Sequence, residues 1–582
     1  MIVRIVHPVV WNETVDFLVV GSGAAGMTAA IRAHDLGAKT LIIEKGEQYG
    51  GSTALSGGVV WVPDNPCMQQ LEMDDSAEEG FEYLQGITAG VPSEARLRAY
   101  LETAPRMMTY LEEFSDLKFQ SIEDYPDYYP ERPGGKCGGR SCEPIEFNAF
   151  LLGPELEKQL RYHQSYFPLG FVTVRAREGT EILKQTLKGD LILLRLIFSF
   201  LFNLRARIKG WRNTRLTIGG ALAGRARLSL MKRDVPLWLK TKLNELVMED
   251  GRVVGAIVEH KGRVQRIRAK QGVLLAMGGF EHNAELRRKH QQAPIGAEWA
   301  AGAETNSGDS IAVGRNLRAG FELMDESWWC PVFLLPGDPF VRLVIFEKNL
   351  PGSIIVNAKG ERFMNEAATY NDVVKSMYRS NAEAVSIPAY LIFDRRFRKK
   401  YPVANILPAP IQPDYLVPKR LRSWLVKDKS LTGLAEKIGV DTEGLLRTVQ
   451  RFNEFAHQGK DLDFGRGESV QDQYYAAKPT GPNPNLGPIE KGPFYAIQVW
   501  PGDIGTKGGL KTDKKARVLT EEGNVIPGLY AAGNCSAAVM GPTYPGAGGT
   551  IGPAMTFGFI AAEDALAGNV SFAEKADQDG EC

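Results

Sequence analysis

A short apolar run at residues 15–20 ends in Gly21-Ser22-Gly23-Ala24-Ala25-Gly26, and a helical pattern through Met27, Ala30, Ile31 and Leu36 follows. A second apolar run, TLIIEK at 40–45, completes the unit. Strand, glycine turn, helix, strand is a βαβ unit, and it constrains the fold more than any other stretch of the chain. Gly21, Gly23 and Gly26 fit G-x-G-x-x-G. Glu44 ends the second strand about 20 residues on, where an acidic side chain accepts hydrogen bonds from ribose hydroxyls. The three glycines serve a tight turn, close approach of backbone to a pyrophosphate, and packing of helix on strand. The pyrophosphate itself sits on the positive end of the helix. The motif predicts a dinucleotide site and leaves NAD and FAD both open.

Two remote glycine segments favour FAD. Gly50-Gly51-Ser52-Thr53-Ala54-Leu55-Ser56-Gly57-Gly58 comes six residues after Glu44, and GNVIPGLYAAGN, ending on Gly533-Asn534, lies near the other end of the chain. Segments this distant closing on one βαβ unit suit a cofactor that runs through the domain. The rest of the sheet is expected from the middle of the sequence, where alternating strands flank an Asp250-Gly251 turn and GVLLAMGGF ends on Gly278-Gly279. At 582 residues a single core does not suffice. Composition shifts toward aromatics and prolines from about 326 to 490. The expected class is therefore α/β, a Rossmann-like FAD-binding domain carrying an inserted α+β catalytic domain. The FAD-binding domain takes residues 1–327 and 491–582, with the insert at 328–490.

Lys+Arg and Asp+Glu both number 69, so the overall charge offers nothing to nucleic acid. The six cysteines are few for this length and the N-terminal residues have no signal-peptide pattern, which reads as a cytoplasmic protein. Cys137 and Cys142 have no second pair or histidine cluster to complete a metal site, and no metal is expected. The most apolar run, LILLRLIFSFLFNL at 191–204, would rise about 21 Å as a helix, short of a bilayer core of roughly 30 Å. Lys184, Lys188, Arg205, Arg207, Lys209, Trp211, Arg212 and Arg215 flank it. Within 185–215, an interfacial helix at the inner face of the cell membrane and a helix buried in protein or in a subunit contact both remain open.

Assembled, these segments resemble the flavoprotein family that contains fumarate reductases and succinate dehydrogenases, and within it the 3-ketosteroid Δ1-dehydrogenases. The resemblance spans about 14–565, apart from roughly 170–216, and rests on VVGSGAAG, EKGEQYGGSTALSGG, PDYYPERPGG, TNSGD, GERFMNEAATY, PGDIGTKGGL, GLYAAGN and TYPGAGGTIGPAMTFG. It implies an FAD-dependent oxidoreductase that takes hydrogens from C1 and C2 of ring A of a 3-ketosteroid, with the steroid held between the two domains. The implied catalytic groups are Tyr128, Tyr370, Tyr544 and the Gly548 amide. Implied cofactor contacts are Gly21, Ser22, Gly23, Ala25, Gly26, Glu44, Lys45, Gly51, Ser52, Thr53, Ser56, Gly57, Gly58 and Leu243, continuing with Ala276, Gly278, Gly279, Asn306, Asp309, Gly533, Asn534, Gly549, Thr550 and Ile551. No histidine follows Tyr49, where some relatives attach flavin covalently, so the FAD is expected to be dissociable.

The chemistry asks for such groups. A C2 hydrogen beside a ketone is weakly acidic, so charge developing on the enolate oxygen needs donors, and Tyr544 and Gly548 stand four residues apart on one glycine loop. Tyr370 as base needs help, since a phenol titrates near 10, and a hydrogen bond from Tyr128 would supply it. Pro553 is expected to open a helix whose positive end favours negative charge on the flavin. Tyr474 and Tyr475 are candidates for the pocket wall. One rival is a fumarate reductase-like flavoprotein. Its dicarboxylate chemistry calls for a histidine before Gly508-Gly509 and an arginine near Tyr370, and all seven histidines lie outside these motifs. A second rival is a 3-ketosteroid 4-ene dehydrogenase acting at C4 and C5. The electron acceptor is not readable, with a quinone among the candidates.

Overall fold

The structure is a computed structural model that describes residues 10–161, 173–183, 186–208, 213–476 and 481–567. Strand β1 (Glu13–Val20) leads into helix α1 (Ala24–Asp35) and returns as β2 (Thr40–Ile43), parallel to β1 from Phe17 opposite Thr40 to Val20 opposite Ile43. Every residue of β2 is buried, as befits a parallel strand covered on both faces. Gly21 turns the chain with φ +111°, and a Cβ there would lie 2.1 Å from the carbonyl oxygen of Ala276, so only glycine fits.

Two short helices, α2 (Ala176–Leu183) and α3 (Leu187–Leu201), come next among the elements that shape the site. Strand β3 (Leu237–Trp238) then pairs with β2. Strands β4 (Thr241–Glu249), β5 (Arg252–His260) and β6 (Arg263–Leu275) form an antiparallel meander. Asp250 and Gly251 both adopt positive φ at its first turn, the conformation a tight hairpin of this hand requires. The second half of β6 leaves the meander and runs parallel to β1, Gly272 opposite Phe17.

The second sheet comprises β7 (Ser327–Phe333), β8 (Arg342–Leu343), β9 (Ser353–Val356), β10 (Ala389–Asp394), β11 (Val426–Asp428) and β12 (Phe494–Thr506). Its order is β8-β7-β12-β10-β9, with β11 on β12, and every pair is antiparallel. Helices α4 (Tyr370–Asn381) and α5 (Val470–Tyr474) belong to the same part of the chain. Strand β12 lies beyond residue 490 yet is the centre of this sheet. The chain rejoins the first sheet at β13 (Arg517–Leu519) and β14 (Val525–Ala531), which complete the order β13-β14-β6-β1-β2-β3.

The last helix, α6 (Ile551–Ala565), starts two residues earlier than its proline suggests. Thr550 occupies the cap position and Pro553 the third helical residue, still in the first turn where a missing N–H leaves no helical bond unmade. Helix α3 is too short to cross a membrane, and among the described residues no helix is long and apolar enough to do so. Its sequence flanks Lys184, Lys209, Trp211 and Arg212, and the side chains of Arg205 and Arg207, lie outside the described residues.

Candidate active site

The glycine turn after β1, the end of β2 and the first turn of α6 face one groove. Glu44 ends β2 almost fully buried and accepts hydrogen bonds from Ser22, by its N–H at 3.1 Å and its hydroxyl at 2.7 Å, and from the Gly46 N–H at 2.8 Å. The Ser22 hydroxyl in turn accepts the Gly50 N–H at 3.1 Å, which draws the second glycine segment onto the first. Thr53 accepts the Ala24 N–H at 3.0 Å. Ala25 and Gly26, in the first turn of α1, donate their N–H groups to no partner among the described residues. Unpaired first-turn donors beside a buried acidic side chain fit a pyrophosphate and a ribose, as FAD would present them. Ser52 accepts from the Ala303 N–H and the Asn306 amide, both at 2.9 Å, and Lys45 is paired with Asp309 at 2.6 Å.

The groove opens into a cavity of about 960 Å³ that reaches into the second domain and ends among aromatic rings. Tyr370, Tyr544, Tyr125 and Tyr475 line it together with Gly548. Tyr128 does not reach the cavity wall. It stands behind, and its hydroxyl donates to the Tyr370 hydroxyl at 2.5 Å, with ring centroids 5.2 Å apart. Tyr544 packs against both, at 5.3 Å from each ring. Burial pushes the Tyr370 phenol well above its ordinary value, Tyr544 and Tyr125 add to this, and the bond from Tyr128 pulls the other way. Burial also raises Tyr544, opposed by its 3.0 Å hydrogen bond with the Thr550 hydroxyl. Tyr475 shares a short hydroxyl contact with Tyr125, whereas Tyr474 stacks on Tyr125 at 4.2 Å from outside the cavity.

The loop carrying Tyr544 is held at many points. The Pro545 carbonyl accepts the Tyr128 N–H at 2.9 Å and the Tyr83 hydroxyl at 2.6 Å, and the Ala547 carbonyl accepts the Ser141 hydroxyl at 2.9 Å. Two lysines hold the residues before the tyrosine: Lys375 donates to the Pro542 carbonyl at 2.7 Å and Lys507 to the Thr543 carbonyl at 2.5 Å. A third, Lys348, donates to the carbonyls of Glu366 and Ala368 at 3.1 and 2.6 Å, just ahead of Tyr370. Lys348 and Lys507 are buried without a carboxylate partner among the described residues, and burial pulls their ammonium groups down to about 8 and about 7. Gly548 takes φ +98°, where a Cβ would lie 2.5 Å from the Trp61 nitrogen. Its N–H has no acceptor among the described residues and stays available to a ligand.

Most residues implied by the sequence line this one cavity: Gly21, Ser22, Gly23, Ala25, Glu44, Lys45, Gly51, Ser52, Thr53, Ser56, Gly57, Gly58 and Leu243, with Ala276, Gly278, Asn306, Asp309, Gly533, Asn534, Thr550 and Ile551. Of the implied cofactor contacts, Gly26, Gly279 and Gly549 do not line it; a Cβ on Gly26 would lie 2.1 Å from the Gly21 carbonyl, one on Gly279 2.2 Å from the Thr506 hydroxyl and one on Gly549 2.9 Å from the Pro545 ring, so their backbones are closely packed. Tyr125, Lys348 and Lys507 had no local signal in the sequence, since their roles depend on partners far along the chain.

The family described as FAD binding domain matches residues 16–551. A 3-oxosteroid 1-dehydrogenase of Mycolicibacterium smegmatis is 43% identical over 574 residues, covering 96% of this chain and 98% of that protein. The chain belongs to the FAD-binding family of the 3-oxosteroid 1-dehydrogenases. A 3-oxosteroid 1-dehydrogenase of Mycobacterium tuberculosis is likewise 43% identical, over 94% of this chain and 97% of its own. The crystal structure of the 3-ketosteroid Δ1-dehydrogenase of Sterolibacterium denitrificans in complex with 1,4-androstadiene-3,17-dione superposes with a TM-score of 0.93, at 43% identity, over 96% of this chain and all of that one. Family membership makes this chain an FAD-dependent oxidoreductase.

Proposed function

We propose that the chain is a 3-ketosteroid Δ1-dehydrogenase that removes a proton from C2 and a hydride from C1 of ring A, leaving a 1-ene-3-ketone. The observation that carries this reading is the Tyr128 hydroxyl donating at 2.5 Å to Tyr370, beside Tyr544 and the free Gly548 N–H on the wall of one cavity. FAD, when bound, supplies the hydride acceptor at N5. The Tyr544 hydroxyl and the Gly548 N–H polarise the C3 ketone and stabilise charge as it develops on oxygen. Tyr370, as phenolate, takes the C2 proton, and the Tyr128 hydrogen bond lowers the free energy of that phenolate. Tyr544 and Thr550 share a hydrogen bond at 3.0 Å, and with Thr550 as its donor the Tyr544 proton is left for the substrate.

The relatives' names support the substrate class. A dicarboxylate substrate is disfavoured by the site itself, where neutral phenols line the reacting end of the cavity and Lys507 is committed to the Thr543 carbonyl. Helix α3 supports a peripheral membrane contact. Leu187, Leu191, Leu194, Phe198 and Leu201 form an exposed stripe at helical spacing, and Lys188 and Arg195 stand exposed among them. Beside this stripe, Leu193 and Ile197 line the cavity, so an apolar substrate would enter from the lipid side.

Flavin bleaching tests the reading. Anaerobic enzyme mixed with androst-4-ene-3,17-dione is expected to lose its yellow absorbance and yield the 1,4-diene, with no response to succinate. A response to dicarboxylates alone, or a product desaturated elsewhere in ring A, would refute it.

A further inference from the structure

Part of the cavity wall is apolar, with Leu343, Ile345, Leu350 and Leu407. Three polar side chains interrupt that wall. Glu347 is 8% exposed and Tyr401 2% exposed, and both line the cavity, as does half-buried Asn405. The Glu347 Oε1 atom accepts the Ala404 N–H at 2.9 Å, which ties the group to the loop carrying Asn405. The other oxygen of Glu347, the Tyr401 hydroxyl and the Asn405 Oδ1 atom are buried and have no hydrogen-bond partner among the described residues. Buried polar atoms are ordinarily paired, so three unpaired ones on one cavity wall point to a polar ligand group.

Resting on the dehydrogenase reading above, we propose that these residues form a subsite recognising a hydroxyl group at the end of the steroid remote from C3. The unpaired atoms are two acceptors and one phenol that both donates and accepts. A ketone oxygen accepts only, so it would satisfy Tyr401 and leave Glu347 and Asn405 unpaired. A carboxylate would face the Glu347 oxygen. A hydroxyl donates to Glu347 or Asn405 and accepts from Tyr401, and thus pairs two of the three atoms where a ketone pairs one. Sites built around such a hydrogen bond discriminate against analogues lacking the donor far more strongly than apolar pockets do.

The test compares testosterone, which carries a 17-hydroxyl, with androst-4-ene-3,17-dione, which carries a 17-ketone, as substrates of the FAD-loaded enzyme. The readout is the ratio of their kcat/KM values in the wild type, in Tyr401→Phe and in Glu347→Gln. The wild type is expected to favour the hydroxysteroid about tenfold, the equivalent of one hydrogen bond. The preference should fall in both variants through KM, with 1,4-diene product formed throughout. A ratio near one in the wild type, or a preference unmoved by either substitution while both steroids turn over, overturns the subsite and leaves the dehydrogenase reading intact. Failure of the wild type to desaturate either steroid overturns both.

Discussion

Replacing Tyr128 by Phe removes the hydroxyl that bonds to Tyr370. The ring keeps its place against Tyr370, Tyr544 and Tyr125, and the backbone N–H keeps its bond to the Pro545 carbonyl, so only the hydroxyl is lost. That hydroxyl donates to Tyr370 at 2.5 Å and lowers the phenol against the upward push of burial. A hydrogen bond to a charged group contributes about 1.5–3 kcal/mol. Its removal therefore raises the Tyr370 phenol further. The base acts deprotonated, and the neutral form dominates across the working range. The rate constant therefore climbs with pH toward the phenol's pKa, and at fixed neutral pH a further rise lowers it about 10- to 100-fold. The sign follows: both rates climb with pH in parallel, and the variant stays below the wild type by that factor throughout the working range. Steady-state kcat and kcat/KM for androst-4-ene-3,17-dione, measured across pH on FAD-replete protein, report the shift. A Tyr128→Phe profile superimposable on the wild type would refute Tyr128 as the group that tunes the base.

Other substitutions separate the remaining roles. Tyr370→Phe should retain flavin and steroid binding while kcat falls by several orders of magnitude, so near-normal turnover would remove Tyr370 as the base. Tyr544→Phe deletes one of two donors to the ketone oxygen, for which a loss of about 10²–10³ in kcat is expected, with the pH profile keeping its shape. Lys507→Met takes the donor from the Thr543 carbonyl and the cation lying 4.5 Å from the centre of the Trp328 ring. A drop of about tenfold or more in kcat/KM at unchanged FAD content is expected, from a charged hydrogen bond of about 1.5–3 kcal/mol. Leu191→Glu with Phe198→Glu on the exposed face of α3 should abolish co-sedimentation with anionic lipid vesicles while turnover of a soluble steroid persists, and retained sedimentation would exclude that face as the contact.

Local pattern carried much of this protein. The βαβ unit was legible because its glycines, its strand periods and Glu44 all lie within 35 residues and act on near neighbours. The Asp250-Gly251 hairpin was legible for the same reason, as positive φ at both residues is a local demand. Pro553 misled by two residues, because a proline is tolerated throughout the first turn and the start was set instead by the glycine loop, whose Gly548 carbonyl accepts the Gly552 N–H. The place of Phe494–Thr506 at the centre of the second sheet was not legible either. Its partners lie between 66 and about 180 residues away along the chain, and strand pairing over such distances leaves no periodic trace.

The sequence by itself determined the cofactor class and the residue types of the site, since glycine turns, an acidic strand end and tyrosines in recognisable motifs are properties of short segments. Only the tertiary structure decided which hydroxyl meets which. Tyr128 and Tyr370 are 242 residues apart, Lys507 reaches Thr543 across 36, and Lys348 reaches Ala368 across 20. The unpaired trio of Glu347, Tyr401 and Asn405 was equally invisible, because lack of a partner is a property of a packed cavity. Side chains acquire their proton affinities and their ligands from burial and neighbours, and those exist only once the chain has closed on itself.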